Sequence, residues 1–381
     1  MPRFFDANSL MPRFFDVMIR ANSLFVAALA LALAGCASPL PSTDLPPARF
    51  VEPAPEFPAL RDYRGIVDLA IKPSGLDQSA VADLARTEQI DFVVLGDSVK
   101  PGDSDFGIGG FTNDILFIPG GAFAVGDSEI VAVNLHTAVA PNLNPVDLIA
   151  AIHDQGGLAI ARDPAKFSSS ADYALADAIE VYDQRSAWSA VSPTTLELRA
   201  IFFGTDHFLS GLDVRPDANF ALYDKITAGA RVAMVAGFGQ ADDLNVLGAR
   251  VGTMQQLFLF YTTHLIARER DTAPLLEALR LGHSYASFDY LGYVGAFAFF
   301  AQNGETKSMM GDEVQNAPGL MLKAELPADA DRIVMYQNGA EVASAENASK
   351  LEFAPKSPGA YRIEAYRKGR MWILSNPVYV R

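Results

Sequence analysis

The stretch from Tyr63 to Ser98 constrains the fold most, because it has the pattern strand, helix, strand. Tyr63–Ile71 is apolar apart from its charged side chains Arg64 and Asp68, Leu76–Glu88 has helical periodicity, and Phe92–Leu95 is a continuous apolar run. Continuous apolar strands joined by a helix indicate a parallel sheet covered on both faces. Ligands of such sheets bind at the carboxyl ends of the strands, which are the places of Asp68 and Asp97.

The same alternation continues along the chain and predicts an α/β fold. Further strands are predicted at Ile115–Ile118, Ile130–Val133, Leu158–Ala161 and Ala178–Tyr182. Helices are predicted at Pro145–Gln155, Phe220–Ala228, Met254–Ile266 and Pro274–Leu281. The third of these helices is rich in aromatic residues and carries His264, and it is too short to span a membrane.

These elements resemble the polymerase and histidinol phosphatase (PHP) domain, a metal-dependent phosphoesterase family with a distorted β/α barrel. That family opens with a strand carrying His-x-His, where this chain has Asp68 and Ala70. The next strand of the family ends in Thr-Asp-His, where this chain has Gly96, Asp97 and Ser98. The order and spacing of the motifs match over about residues 60 to 290, and most of the metal ligands do not.

The later motifs show the same departure from the family. The family's metal-binding Glu after Pro-Gly corresponds to Ala122, and its His-Pro corresponds to Asp163 and Pro164. Its Asp-Ala-His corresponds to Gln240, Ala241 and Asp242. The resemblance therefore implies a degenerate metal site at eight positions: Asp68, Ala70, Asp97, Ser98, Ala122, Asp163, Gln240 and Asp242.

Three readings of this site remain open. A PHP site holds up to three divalent metals that activate water and bind a phosphate ester. Because most of the family's metal ligands are missing here, the first reading is a binding or scaffold protein with no catalytic residues and no cofactor. The second is a phosphoesterase whose remaining carboxylates hold Mg²⁺, Mn²⁺ or Ca²⁺, at Asp68, Asp97, Asp163 and Asp242.

The third reading places the site elsewhere, near one of five histidines. Packing is the expected role of His153 and His264, and the strand end at His136 could reach the barrel mouth. The tripeptide that ends at His207 is a coincidence of letters. No Gly-x-Ser-x-Gly motif occurs, so the sequence suggests no Ser-His-Asp set. The five residues are His136, His153, His207, His264 and His283.

From about Gly292 the pattern changes to short strands separated by turn signals such as Asn338-Gly339. Strands are predicted at Leu320–Ala324 and Arg332–Tyr336, among others, and they indicate a small all-β sandwich. The run from Pro358 to Val380 resembles the immunoglobulin-like module that follows some bacterial PHP domains.

The N-terminus predicts export and lipidation. An apolar run follows Arg20 and leads to Leu33-Ala34-Gly35-Cys36, which resembles a bacterial lipobox, and Cys36 is the chain's single cysteine. Acyl chains on Cys36, palmitate among them, would hold the protein at the outer membrane, facing the periplasm. Residues 1 to 35, which contain a duplicated start, are then the signal peptide.

These patterns predict four segments and a set of partners. The segments are a signal peptide at 1–35, a lipidated tether at 36–58, a PHP-like barrel at 59–290 and an immunoglobulin-like sandwich at 291–381. The net charge of −15 argues against nucleic acid as a partner. The expected partners are the membrane, through the lipid, and a cell-envelope ligand or protein.

Overall fold

The protein has a mixed α/β fold with many strands and few helices, as the sequence predicts. The computed structural model describes residues 53–192, 195, 210–240, 244–246 and 249–381, with the backbone alone for Gln240, 244–246 and 249–251. The signal peptide, Cys36 and most of the tether lie outside these residues, as do Asp242 and His207. The last residues of the predicted tether are in strands, since Pro53–Ala54 pairs with Phe57–Ala70.

The elements follow one another in chain order. The first part contains β1 Pro53–Ala54, β2 Phe57–Ala70, α1 Gln78–Thr87, β3 Phe92–Leu95, β4 Gly110–Thr112, β5 Ile115–Ile118, β6 Gly120–Val125, β7 Ser128–Val133, α2 Pro145–His153, β8 Leu158–Arg162, β9 Ala178–Asp183 and α3 Gln184–Ser189. The second part contains α4 Asp217–Thr227, β10 Ala233–Gly237, β11 Gly239–Gln240, β12 Leu244–Val246, β13 Ala249–Val251, α5 Met254–Phe258, β14 Thr262–Ala267, α6 Thr272–Leu281 and β15 Ser284–Ser287. The third part contains β16 Ala298–Asn303, β17 Thr306–Met309, β18 Glu313–Val314, β19 Met321–Gln337, β20 Ala340–Phe353, β21 Gly359–Arg367, β22 Arg370–Ser375 and β23 Val378–Val380.

The predicted opening unit folds as a parallel strand–helix–strand. Strand β2 pairs in parallel with β3, and β3 pairs in parallel with β5. Helix α1 starts after Asp77, whose carboxylate accepts a hydrogen bond of 2.8 Å from the amide of Ala80. The buried face of α1 is formed by Val81, Ala82 and Ala85, which explains why the apolar residues recur with helical spacing.

A second sheet of five strands has the order β10, β9, β8, β7, β6. It meets the first sheet at both edges: the amide of Phe238 donates to the carbonyl of Val67 at 2.9 Å, and Ser98 forms a parallel bridge with Ala122. The interior-facing apolar side chains form one buried cluster that includes Val67, Val94, Val131, Ile160 and Val235. The two ladders remain separate sheets, so the closed barrel stays a prediction.

The C-terminal strands continue the large sheet. Strand β22 pairs with β15, with Ile373 opposite Ser287, so one ladder crosses the predicted domain boundary at residue 290. The two strands predicted at 320–324 and 332–336 belong to a single strand, β19, whose hairpin partner is β20. Asn338 and Gly339 connect them with φ values of 49° and 84°, which is typical of a type I′ turn. The separate immunoglobulin-like module stays a prediction.

The predicted helix Met254–Ile266 is wrong in its second half. Helix α5 ends at Phe258, and the following residues form β14, which pairs with both β2 and β15. A short apolar run fits a buried helix and a buried strand equally well, and the pairing with two neighbouring strands decides between them. Among the residues that the structure describes, no helix is both long and apolar enough to cross a membrane.

Candidate functional site

The backbone brings most of the predicted site positions together at the carboxyl ends of the central strands. Gln240 pairs with Ala70, and the amide of Gly96 donates to the carbonyl of Leu69 at 2.9 Å. The amide of Ala122 donates to the carbonyl of Asp97 at 2.9 Å. Positions 68, 70, 97, 98, 122 and 240 are therefore neighbours, as the resemblance implies. Their role as remnants of a metal site stays a prediction.

Asp68 is the most buried of the predicted carboxylates, with no exposed surface. It has a φ of 62°, a conformation that Asp adopts more readily than most residues. Its carboxylate lies against the backbone of Gly96, where a Cβ atom would overlap with it. Burial raises the pKa of Asp68 to about 7, although the nearby Arg162 guanidinium opposes the shift.

Arg162 lies at the centre of the charged cluster, and the strand register puts it there. Arg162 is opposite Glu129 on one side and opposite Glu180 on the other, so the three side chains share a face of the small sheet. Its Nη1 donates to Glu129 and its Nη2 donates to Asp68. Arg185, from helix α3, also donates to Glu129.

The protein environment keeps the guanidinium of Arg162 charged. Burial opposes the charged form, but Asp68, Glu180 and Glu129 together hold the pKa of Arg162 above its ordinary value. Arg162 is 2% exposed, so its interactions with these carboxylates are little screened by solvent. A permanent positive charge therefore lies among carboxylates that come from both sheets.

Glu180 is fully buried, and neither of its carboxylate oxygens has a hydrogen-bond partner among the described residues. The carboxylate lies against Gly237, where a Cβ atom would overlap with it. Burial, together with the charges of Asp68 and Asp183, raises the pKa of Glu180 well above its ordinary value. Burial has this effect because a buried carboxylate without a hydrogen-bond donor is costly to ionise.

The other two described carboxylates of the predicted set are bound separately by their own neighbours. Asp97 accepts a hydrogen bond of 2.8 Å from the amide of Lys72, and burial raises its pKa. Asp163 accepts from Asn219 Nδ2 and Ser186 Oγ, each at 2.9 Å, and lies 2.6 Å from Lys166 Nζ. Burial alone would raise the pKa of Asp163, but these donors outweigh it and lower the pKa.

A cavity of about 110 Å³ opens at this edge of the sheets. We call it the mouth cavity, and its polar and central lining residues are Ala70, Lys72, Asp97, Ser98, Arg162 and Arg185. Three of these six carry positive charges, and only Asp97 is a carboxylate. The mouth cavity therefore presents cationic side chains at the predicted positions of the degenerate metal site.

The described residues do not fit a divalent metal centre. No group of three or more His, Cys, Asp or Glu side chains in the described ranges could hold a metal ion. Ala70 and Ala122 cannot ligate, and the carboxylates of Asp68 and Glu129 are engaged by Arg162. A metal ion among them would also be repelled by the guanidinium. Asp242 and the side chain of Gln240 lie outside the described residues.

The structure shows a second polar cluster that the sequence did not suggest, and it contains a Ser-His-Asp set. Ser287 Oγ lies 3.1 Å from His264 Nε2, and His264 Nδ1 lies 2.8 Å from Asp62 Oδ1. All three residues are at most 1% exposed, and Ser287 Oγ also lies 2.7 Å from Asp289 Oδ1. Because the set is buried and Ser287 has a carboxylate partner, its evident role is to join β2, β14 and β15.

Other histidines have local partners as well. His136 lies 2.9 Å from Asn134 Oδ1, and His153 lies 2.7 Å from Asp177 Oδ2. His283 lies 2.9 Å from Asp312 Oδ1. His136, His153 and His283 are not among the residues that line the mouth cavity.

Sequence reasoning missed Arg162, Glu129, Glu180 and Arg185. A signal existed, because Arg162 and Glu180 each interrupt or end an otherwise apolar strand, and charged residues are rarely buried unless they are paired. Their mutual contact depends on the pairing of β7, β8 and β9, which single-strand patterns do not specify.

No family model and no curated protein matches the sequence. Among solved structures, a two-domain protein from Bacteroides vulgatus ATCC 8482, which contains a predicted PHP-like metal-dependent phosphoesterase, is 13% identical. That match covers 87% of this chain and 99% of the other, with a TM-score of 0.38. An engineered protein is 10% identical over 78% of this chain and 51% of its own, with a TM-score of 0.18. Both scores are too low to support a functional argument.

Proposed function

We propose that this chain is a binding protein of the bacterial cell envelope that does not hydrolyse phosphate esters. The observation that carries the proposal is the position of Arg162, whose guanidinium binds Asp68 and Glu129. In this proposal the strand framework resembling a phosphoesterase is retained, and a fixed side-chain cation replaces the metal ions.

Electrostatics supports the loss of metal-dependent hydrolysis. Metal-assisted hydrolysis needs a divalent ion to activate water and to stabilise charge on the phosphoryl group. A divalent ion about 4 Å from the guanidinium would be repelled by about 8 kcal/mol at an effective dielectric constant near 20. Binding at the described carboxylates would first require Arg162 to leave its two partners.

Turnover measurements test this proposal. The purified protein is incubated with p-nitrophenyl phosphate or bis(p-nitrophenyl) phosphate and with Mn²⁺, Mg²⁺ or Ca²⁺ in turn. We expect no product above the background without protein. Metal-dependent turnover that disappears in the Asp97→Asn variant would overturn the proposal.

A metal-dependent phosphoesterase is the second candidate function, and specific atoms favour it. Oδ1 of Asp68 and both carboxylate oxygens of Glu180 are buried without hydrogen-bond partners among the described residues. Such oxygens are suitable ligands for Mg²⁺, Mn²⁺ or Ca²⁺. This candidate requires a displaced Arg162, and it predicts the metal-dependent turnover that the first excludes.

We place the protein at the outer membrane, where a lipid on Cys36 would anchor it. The globular part would face the periplasm. The support for this location is the order of basic residue, apolar run, small residues and cysteine in the sequence. In cells fed with labelled palmitate, the full chain should carry label and sediment with membranes. The Cys36→Ser variant should lose both properties, and retention of both would contradict the anchor.

A further inference from the structure

The mouth cavity has the size of a small polar group. A volume of about 110 Å³ corresponds to about four water molecules at roughly 30 Å³ each. The cavity is lined mainly by the ends of β2, β3 and β8 and by the start of α3, so it lies at one edge of both sheets. It can therefore accept one terminal functional group, and the rest of a larger ligand would remain outside.

Three cationic side chains line the mouth cavity, and they differ in how deeply they are buried. Arg162 is the deepest, and its Nε has no hydrogen-bond partner among the described residues. Arg185 uses Nη2 to contact Glu129, and its side chain is 39% exposed. Lys72 is 51% exposed, and its contact of 3.0 Å with Asp105 is a surface pair that contributes little. A guanidinium donates in a fork that matches the oxygens of carboxylate and phosphate groups.

The two remaining polar groups of the lining add selectivity. Asp97 is fixed by the amide of Lys72 and presents a carboxylate that repels a bare oxyanion. The same carboxylate would accept a hydrogen bond from a ligand hydroxyl group. Ser98 is exposed at the rim and offers a hydroxyl that both donates and accepts. The lining thus fits a ligand with negative oxygens on one side and an O–H on the other.

We propose that the mouth cavity binds a small oxyanion that carries a hydroxyl group beside its charge, namely a hydrogen phosphate or an α-hydroxy carboxylate group. Arg185 and Lys72 contact the charged oxygens, Arg162 supplies the positive charge behind them, and Asp97 accepts from the hydroxyl. This inference rests on the proposed function, because a metal ion at the mouth would coordinate the oxyanion in place of these side chains.

Calorimetric titration of the full chain with inorganic phosphate, glycolate and acetate tests the inference. Glycolate and acetate differ by one hydroxyl group, so they isolate the contribution of Asp97. We expect phosphate and glycolate to bind with one site per chain, and acetate to bind at least tenfold more weakly. Arg185→Gln and Lys72→Gln should each weaken phosphate binding about tenfold. Lys356→Gln, at an exposed lysine in the loop between β20 and β21, should leave it unchanged.

Asp97→Asn provides the selectivity control and should bring the affinities for glycolate and acetate to within threefold of each other. The inference is overturned if neither phosphate nor glycolate binds, if Lys72→Gln and Arg185→Gln bind phosphate like the parent, or if acetate binds as tightly as glycolate. Absence of anion binding without ester turnover would refute this inference alone. Metal-dependent turnover would refute the proposed function.

Discussion

Nη2 of Arg162 donates a hydrogen bond to the carboxylate of Asp68, a residue 94 positions earlier in the chain. Asp68 belongs to the large sheet and Arg162 to the small one, so this buried ion pair joins the two sheets at the mouth. The same guanidinium reaches Glu129 through Nη1. One guanidinium therefore binds two carboxylates, one from each sheet, and Arg185 supplies a second positive charge to Glu129.

Replacing Arg162 with Met should destabilise the protein strongly. The variant keeps an unbranched apolar side chain but leaves the fully buried Asp68 without its cation, which typically costs about 3–5 kcal/mol. Glu129 keeps its contact with Arg185. Urea unfolding followed by circular dichroism measures the change. Arg332→Met is the matched control, because Arg332 forms a solvent-exposed pair with Glu341, and it should leave the midpoint unchanged. A midpoint for Arg162→Met equal to that of the parent would show that the guanidinium is not needed.

Replacing Glu180 with Gln should stabilise the protein at high pH and not at low pH. The folded-state pKa of Glu180 is raised, so its contribution to stability is present below the ordinary pKa of a glutamate and is lost as the pH rises. Gln has no proton to lose, and Glu180 has no hydrogen-bond partner to forfeit among the described residues. The difference in melting temperature between variant and parent should be near zero at pH 4.5 and positive at pH 8.

Part of the pH dependence should persist in the Glu180→Gln variant. Asp68 has a raised pKa of about 7, so it also contributes stability that declines between about pH 4 and pH 7. Glu305→Gln, at an exposed turn, serves as the control and should match the parent at both pH values. If Glu180→Gln is less stable than the parent at pH 8, Glu180 is ionised and paired in the folded state, which would contradict the prediction.

Replacing Asn376, which lies between β22 and β23 and bonds to the backbone of the small sheet, should destabilise the protein. Asn376 is fully buried, and its Nδ2 donates to the carbonyls of Met234 at 3.0 Å and Ser284 at 2.9 Å. Its Oδ1 accepts from the amide of Met234 at 2.6 Å. Asn376→Ala leaves several backbone groups unsatisfied, so we expect a loss of about 3 kcal/mol or more. The exposed Asn303→Ala should change the free energy of unfolding by less than about 0.5 kcal/mol.

Ser287 should not react as a catalytic serine, despite its contact with His264. Ser287 and His264 are both fully buried, and Ser287 Oγ also contacts Asp289 at 2.7 Å. A fluorophosphonate probe should therefore give no labelling in the folded protein, as judged by intact mass. Labelling that disappears in Ser287→Ala would contradict the structural role assigned to this cluster.

Local patterns predicted much of the fold because they depend on neighbouring residues. The continuous apolar runs Phe92–Leu95 and Ile115–Ile118 are strands with those bounds, and Asn338-Gly339 forms the predicted turn. The pattern failed in the second half of the predicted helix Met254–Ile266, where Thr262–Ala267 is a strand that pairs with strands on both sides. Pairing across almost 200 residues leaves no local signature.

The candidate site was predictable in its backbone and not in its charges. The strand pattern placed Asp68 and Asp97 at strand ends, the resemblance added position 122, and the structure brings these positions together. The central role of Arg162 follows from its register between Glu129 and Glu180, which is fixed by the order of strands in the sheet. A charged residue at the end of an apolar strand was visible in the sequence, but its partners were not.

Elemental analysis after exposure to metal tests the central claim most directly. The purified protein is incubated with excess Mn²⁺, desalted and measured for metal per chain, next to the Glu305→Gln control. Because the Arg162 guanidinium already binds Asp68 and Glu129 and would repel a divalent ion, we predict less than about 0.1 equivalent of retained manganese per chain. One or more equivalents retained by the parent protein would contradict the claim that Arg162 stands in for the metal.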